Sequence, residues 1–175
     1  MLEKFNKYQV LKVFLDVPEG QFHLRQLARM IGLSTPTVAT IVRQLKADGL
    51  LSITRARPLE IVTARRESEQ FISVKRVFNL YRIAISEIVP YLVKAYAEPE
   101  SIVLFGSFSR GDDISKSDID IAVVTTRSLS LNLKRFERAL SRNITLHEVQ
   151  LDRCSKEFVN NLVNGIVLYG YLKVC

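Results

Sequence analysis

Asp118 and Asp120 flank a single isoleucine at the head of the apolar run Ile121–Val124, and the pair Gly106-Ser107 closes an earlier apolar run, Ile102–Phe105. On an extended chain, residues two apart project to the same face, so the two carboxylates stand side by side. Like charges at that spacing repel unless a cation lies between them. A divalent ion such as Mg²⁺ fits, because it takes oxygen ligands and commonly binds through one or two carboxylates plus substrate phosphates. Gly106 has no side chain to keep a phosphate from the backbone N–H groups, and Ser107 adds a hydroxyl donor. The loop is not a Walker A loop, since no Gly-Lys-Ser/Thr follows. A capped turn entering a strand is the plainer account of the two aspartates, but it leaves Gly106-Ser107 unexplained. Asp112 and Asp113 read as solvated loop acids that could attract a metal.

The elements that must hold these residues follow from periodicity. Two buried-strand runs, 102–105 and 121–124, are followed by a basic amphipathic crossover helix over Leu131–Ser141 and a strand over Ile144–Leu151. A closing helix over Glu157–Val163 and an apolar tail complete a mixed α/β unit. Tyr169 reads as core rather than as a stacking platform, and Cys154 and Cys175 as incidental. Upstream, residues 67–97 place Phe71, Val74, Phe78, Tyr81, Ile85, Ile88 and Leu92 at steps of three and four, the pattern of one long amphipathic helix. Glu67 and Glu69 suit its N-terminal dipole, and Pro90 is expected to kink or split it. Its stripe reads as a strut or a dimer seam, and the seam is preferred by analogy with dimeric regulators.

In the N-terminal third, a helix over 5–15 ends before Pro18-Glu19-Gly20. A second, His23–Ile31, presents Leu24, Leu27, Ala28 and Ile31 on one face. Gly32 turns the chain, Ser34 is the N-cap and Pro36 the first-turn proline of a third helix burying Val38, Ile41, Val42 and Leu45. Gly49 closes that helix, and two short extended runs follow, 50–54 and 59–63, separated by Arg55-Ala56-Arg57-Pro58. The tight Gly-Leu-Ser link gives helix-turn-helix spacing.

The stretch LRQLARMIGLSTPTVATIVRQLKADGLL resembles the winged helix-turn-helix domains of prokaryotic transcription regulators, over about the first 65 positions. The resemblance implies double-stranded DNA as partner. The third helix would read the major groove through Ser34, Thr35, Thr37, Thr40 and Arg43, and the wing-tip Arg55 and Arg57 would meet phosphates or the minor groove. Charge agrees, with 11 Lys/Arg against 5 Asp/Glu in residues 1–66, four against four over 67–99, and ten against nine from residue 100 onward. A merely soluble docking module would also be basic, so charge alone separates the two weakly.

The run GSFSRG, followed after a short polar loop by SDID, resembles the signature of the DNA polymerase β nucleotidyltransferase superfamily, and in particular its minimal stand-alone members, over roughly 98–175. The resemblance implies that Gly106 and Ser107 grip the triphosphate of ATP or another NTP, with Arg110 neutralising charge or merely bracing the loop. It implies that Asp118 and Asp120 hold Mg²⁺ ions that polarise the α-phosphate and stabilise leaving pyrophosphate. A third carboxylate is implied on the strand 144–151. Glu148 and His147 are its neighbours there, alternation allows only one of them to serve, and Glu148 is the choice.

The chain of 175 residues, with formal net charge +7, is 47% hydrophobic and 25% charged, which excludes a disordered tail. Two cysteines are too few for a disulfide framework, so a reducing cytoplasm is expected. No run of about 18 apolar residues exists to span a membrane, and the charged N-terminus does not read as a signal peptide. The expected fold is α+β: a winged helix over 1–66, a connecting helix over 67–97 and a nucleotidyltransferase over 98–175. The expected function is Mg-dependent nucleotidyl transfer to a hydroxyl acceptor by a DNA-binding, homodimeric protein. An antitoxin-like regulator acting on a partner toxin fits that description. The alternative is a transcriptional regulator whose second domain binds nucleotide without catalysis.

Overall fold

A computed structural model describes residues 5–56 and 59–173. The chain forms two compact units, 1–75 and 76–175. In the first, α1 (Asn6–Asp16), α2 (Leu24–Ile31) and α3 (Thr35–Ala47) accompany a three-stranded antiparallel sheet of β1 (Gln21–His23), β2 (Leu51–Ala56) and β3 (Leu59–Ala64), in the order β1-β3-β2. Val38, Ile41, Val42 and Leu45 are buried, as their spacing predicts. Val10, Phe14 and Leu27 are buried as well, and Phe22 stands edge-on to Phe14 at 5.3 Å. Between α2 and α3 the chain passes through Gly32 at φ +69°, a left-handed conformation that glycine adopts without a Cβ penalty. Ser34 then caps α3, its hydroxyl accepting from the Thr37 N–H at 3.3 Å.

The expected single helix over 67–97 is two helices. Ser68 starts the first by accepting the Phe71 N–H, and α4 runs Glu69–Ser86. Glu87 then turns left-handed, at φ 59°, before α5 (Ile88–Ala95). The cause is Pro90, whose ring lacks an N–H and crowds the carbonyl four residues back, that of Ser86, where α4 stops. The stripe also runs differently from the expectation. Phe71, Phe78 and Ile83 are buried, whereas Ile85 is 57% exposed.

The second unit is built on a four-stranded mixed sheet of β4 (Ser101–Phe105), β5 (Ile119–Val124), β6 (Ile144–Val149) and β7 (Ile166–Gly170), in the order β6-β5-β4-β7. β4 is antiparallel to both β5 and β7, while β5 and β6 run parallel. A parallel pair needs a crossover, and α7 (Lys134–Leu140) supplies it. Alternation sorts the strands onto two faces. Ile102, Leu104, Ile119, Ile121, Val123 and Ile144 pack with Ile88, Leu92, Phe136 and Leu140 of α5 and α7. On the other face Val103, Phe105 and Ala122 meet Leu162 of α8 (Lys156–Val163).

Candidate active site

The site grows from the junction of β4 and β5. Phe105, the last residue of β4, pairs with Asp120, and the chain leaves the strand at Gly106 with φ +73°. A Cβ at position 106 would collide with Asp120 Oδ2 and stand 3.3 Å from its Cγ. Glycine is favoured there by backbone conformation, and any side chain would also have to displace the Asp120 carboxylate. Gly106 also opens the short helix α6 (Gly106–Arg110), so Ser107 follows at once in its first turn. The Ser109 hydroxyl donates to Gly106 O at 2.8 Å and tightens that turn.

The structure thus brings Gly106, Ser107 and Asp120 together. Asp118 stands just ahead of β5, exposed, with Oδ1 accepting from Asn143 Nδ2 at 3.2 Å. Arg110 forms an exposed ion pair with Asp112, at 3.1 Å, which is the loop-bracing option. Asp113, expected to be a solvated loop acid, is instead 2% exposed. Its Oδ1 accepts from the buried Asn79 Nδ2 at 2.6 Å, and Asn79 also donates to Phe108 O at 2.9 Å. One α4 amide therefore holds both α6, at Phe108, and the loop that follows it, at Asp113. Sequence reasoning missed it because Asn79 lies far upstream and carries no motif.

The third-carboxylate position departs from the sequence expectation. Parallel pairing sets Asp120 against Thr145 and Ala122 against His147, so the face that carries Asp120 carries Thr145, His147 and Val149. His147 Nε2 lies 3.5 Å from Asp120 Oδ1. Glu148 points the other way. Its carboxylate accepts from the Tyr96 hydroxyl at 2.6 Å, the Ser128 hydroxyl at 2.7 Å and the Leu129 N–H at 2.6 Å. Burial pushes the Glu148 carboxyl up, but these three bonds outweigh it and hold the group below its usual value. Tyr96 is pushed upward, first by burial, then by donating to Glu148 and by that carboxylate's charge. Glu148 therefore braces the loop after β5 and is no partner of the two aspartates.

Two clefts adjoin the sheet ends. Beside Asp118, one of about 530 Å³ is lined by Lys116, Lys134, Arg138, Arg142 and Asn143. At the opposite strand ends, past Val124 and Val149, another of about 1100 Å³ is lined by Tyr96, Glu98, Thr125, Gln150 and Lys156. Of the residues expected to meet DNA, Ser34, Thr37, Thr40 and Arg43 are exposed and Thr35 is half-buried. Ser34 is committed to capping, and the Thr40 hydroxyl donates to Pro36 O at 3.1 Å. Arg57 lies outside the described residues, as does the side chain of Arg55.

Residues 86–171 match the model of the family described as Polymerase beta, Nucleotidyltransferase. The matched span lies within the second unit and contains Gly106, Ser107, Asp118, Asp120 and His147, so this part of the chain is similar to nucleotidyltransferase domains. No curated protein and no solved structure matches the chain. Among the described residues no helix is long and apolar enough to cross a membrane.

The role of Glu148 is open to direct measurement. A carboxyl held below its ordinary 4.5 contributes stability that is complete above that pH and is lost as pH falls through the depressed value. Glu148→Gln should cost about 1–3 kcal/mol at neutral pH, read from urea unfolding. The gap between variant and wild type should close as the pH drops below 4.5.

Proposed function

We propose that this chain is a nucleotidyltransferase with its own DNA-binding unit, which moves a nucleotidyl group from ATP or another NTP to a hydroxyl acceptor. The observation that carries the reading is the seating of the Asp120 carboxylate against Gly106. It joins the acidic strand and the Gly106-Ser107 turn into a single site, where backbone N–H groups and a hydroxyl face an anion. The cleft beside Asp118 supports an anionic substrate, since its cations Lys116, Lys134, Arg138 and Arg142 outnumber its two acids, Asp118 and Glu137. In the transfer the acceptor oxygen bonds to the α-phosphorus, the bond to the β-phosphate oxygen breaks, and pyrophosphate leaves. The acceptor is a hydroxyl of a small molecule or of a partner protein, the latter being the antitoxin-like case.

The family chemistry implies divalent ions, with Mg²⁺ as the sequence expectation. The three-carboxylate set for it does not fit these residues, because Glu148 is bonded on the other face. Among the described residues no group of three or more His, Cys, Asp and Glu is placed to hold an ion. What remains for a cation is the Asp118–Asp120 pair, with phosphate oxygens to complete it. His147 in the third position favours a second reading, a regulator that binds nucleotide without transferring it.

For the first unit we propose a winged helix-turn-helix on double-stranded DNA. The exposed Thr37 and Arg43 of α3 support it, together with the basic balance of residues 1–66. Homodimerisation and a cytoplasmic setting rest on sequence alone.

Incubation with α-labelled NTPs, divalent ions and candidate acceptors separates the enzymatic readings. The transferase reading expects labelled product and pyrophosphate, reduced at least about a hundredfold in Asp118→Ala/Asp120→Ala. Nucleotide binding without pyrophosphate from any acceptor leaves the regulator, and no binding removes both. On random duplex DNA, log affinity should fall linearly with log salt, and Arg43→Ala should lower that slope by about one unit if Arg43 meets a phosphate. Binding indifferent to salt removes the DNA proposal.

A further inference from the structure

The His147 ring is held with Nε2 toward Asp120 Oδ1. Its ring lies edge-on to Phe105, with centroids 5.1 Å apart, and tilted against Phe158 at 5.8 Å. Phe105 and Phe158 are themselves in edge contact at 5.5 Å, so the ring rests against two mutually packed aromatics. In that orientation Nε2 is buried and has no hydrogen-bond partner. Buried polar atoms without partners are rare, and each calls for a reason, an unseen ion among them. Asp120 is equally constrained, since its Oδ2 lies against Gly106 while Oδ1 faces the imidazole.

The 3.5 Å between Nε2 and Oδ1 is wider than a good N–H···O hydrogen bond. It is close to the spacing of two donors on one ion: bonds of about 2.1 Å meeting near 110° put them roughly 3.4 Å apart. The donor chemistry then narrows the ion. Mg²⁺ demands oxygen ligands and gives up its water reluctantly. An imidazole nitrogen suits first-row transition ions, whose affinity for mixed nitrogen and oxygen sites rises along the series from Mn²⁺ through Co²⁺.

We propose that Asp120 and His147 form a two-donor oxygen–nitrogen site that selects a first-row transition ion over Mg²⁺, with water and phosphate oxygens available to complete the shell. The proposal builds on the reading of Asp120 as part of the nucleotide site. It makes the histidine a determinant of metal choice where the family resemblance implied a third carboxylate.

Co²⁺ is the probe. The metal-free full-length protein, without nucleotide, is titrated with Co²⁺ and separately with Mg²⁺ by calorimetry, and the Co²⁺ absorption bands are recorded. Wild type should bind Co²⁺ at least about tenfold more tightly than Mg²⁺. His147→Ala should weaken Co²⁺ at least about tenfold, shift its bands and leave Mg²⁺ within about threefold, while His147→Asp should bring the two affinities together. The chain has two histidines, and His23→Ala should leave the bands unchanged. Circular dichroism of each variant confirms that it is folded. Equal weakening of Co²⁺ and Mg²⁺ in His147→Ala, or Co²⁺ bands indifferent to that change, would overturn the proposal. An ATP titration of the Co²⁺-loaded protein keeps the two ideas separate: the expected metal response without nucleotide binding upholds the metal site and removes the nucleotide reading.

Discussion

The carboxylate of Asp120 occupies the space that a side chain at position 106 would need. Much of the second unit can be understood as support for that contact. It requires β4 to end where β5 begins, which the antiparallel pairing of Phe105 with Asp120 provides. It requires the chain to leave β4 in a left-handed turn, which glycine allows. It also requires the following loop to stay in place, and Asn79 holds that loop through Phe108 O and the buried Asp113. A carboxylate laid beside Gly106 leaves little distance between the acidic strand and the Gly106-Ser107 turn.

The two faces of the sheet divide the work. The face carrying Asp120 and His147 is closed by Phe105, Phe158 and Leu162. The opposite face is an aliphatic core, at whose edge Glu148 gathers Tyr96, Ser128 and Leu129. Adjacent residues of one strand therefore serve different ends, one at the site and one in holding a loop. Open α/β sheets usually bind ligands beyond the carboxyl ends of their parallel strands, which here would indicate the cleft past Val124 and Val149. The proposed site lies elsewhere, at the β4–β5 junction, and the basic cleft beside Asp118 lies with it.

Local features were legible from the sequence and distant pairings were not. Ser34, Pro36, the 3.6-residue spacing of Val38 to Leu45 and Gly49 all lie in or beside one helix, and that helix was readable almost to its ends. The apolar runs 102–105 and 121–124 are self-evident strands. The choice between His147 and Glu148 needed the register of β6 on β5, a contact between segments that no local pattern specifies. A signal was present: Ile144 and Leu146 share a face with Glu148, so matching them to the apolar positions Ile119 and Ile121 assigns Glu148 to the aliphatic core. Asp113 was misjudged because its burial depends on Asn79 from α4, and the α4 stripe because Ile83, not Ile85, faces inward.

The central claim is that nucleoside triphosphate binds where Asp120 meets Gly106, on the His147 face of the sheet. Amide NMR of the isotopically labelled full-length protein, titrated with ATP and a diamagnetic divalent ion, tests it most directly. The account predicts the largest shifts at Gly106, Ser107, Asp120 and His147, with Ser128 and Leu129 nearly unmoved. Shifts centred instead on Thr125, Ser128, Leu129 and Gln150, at the other end of the strands, would contradict it.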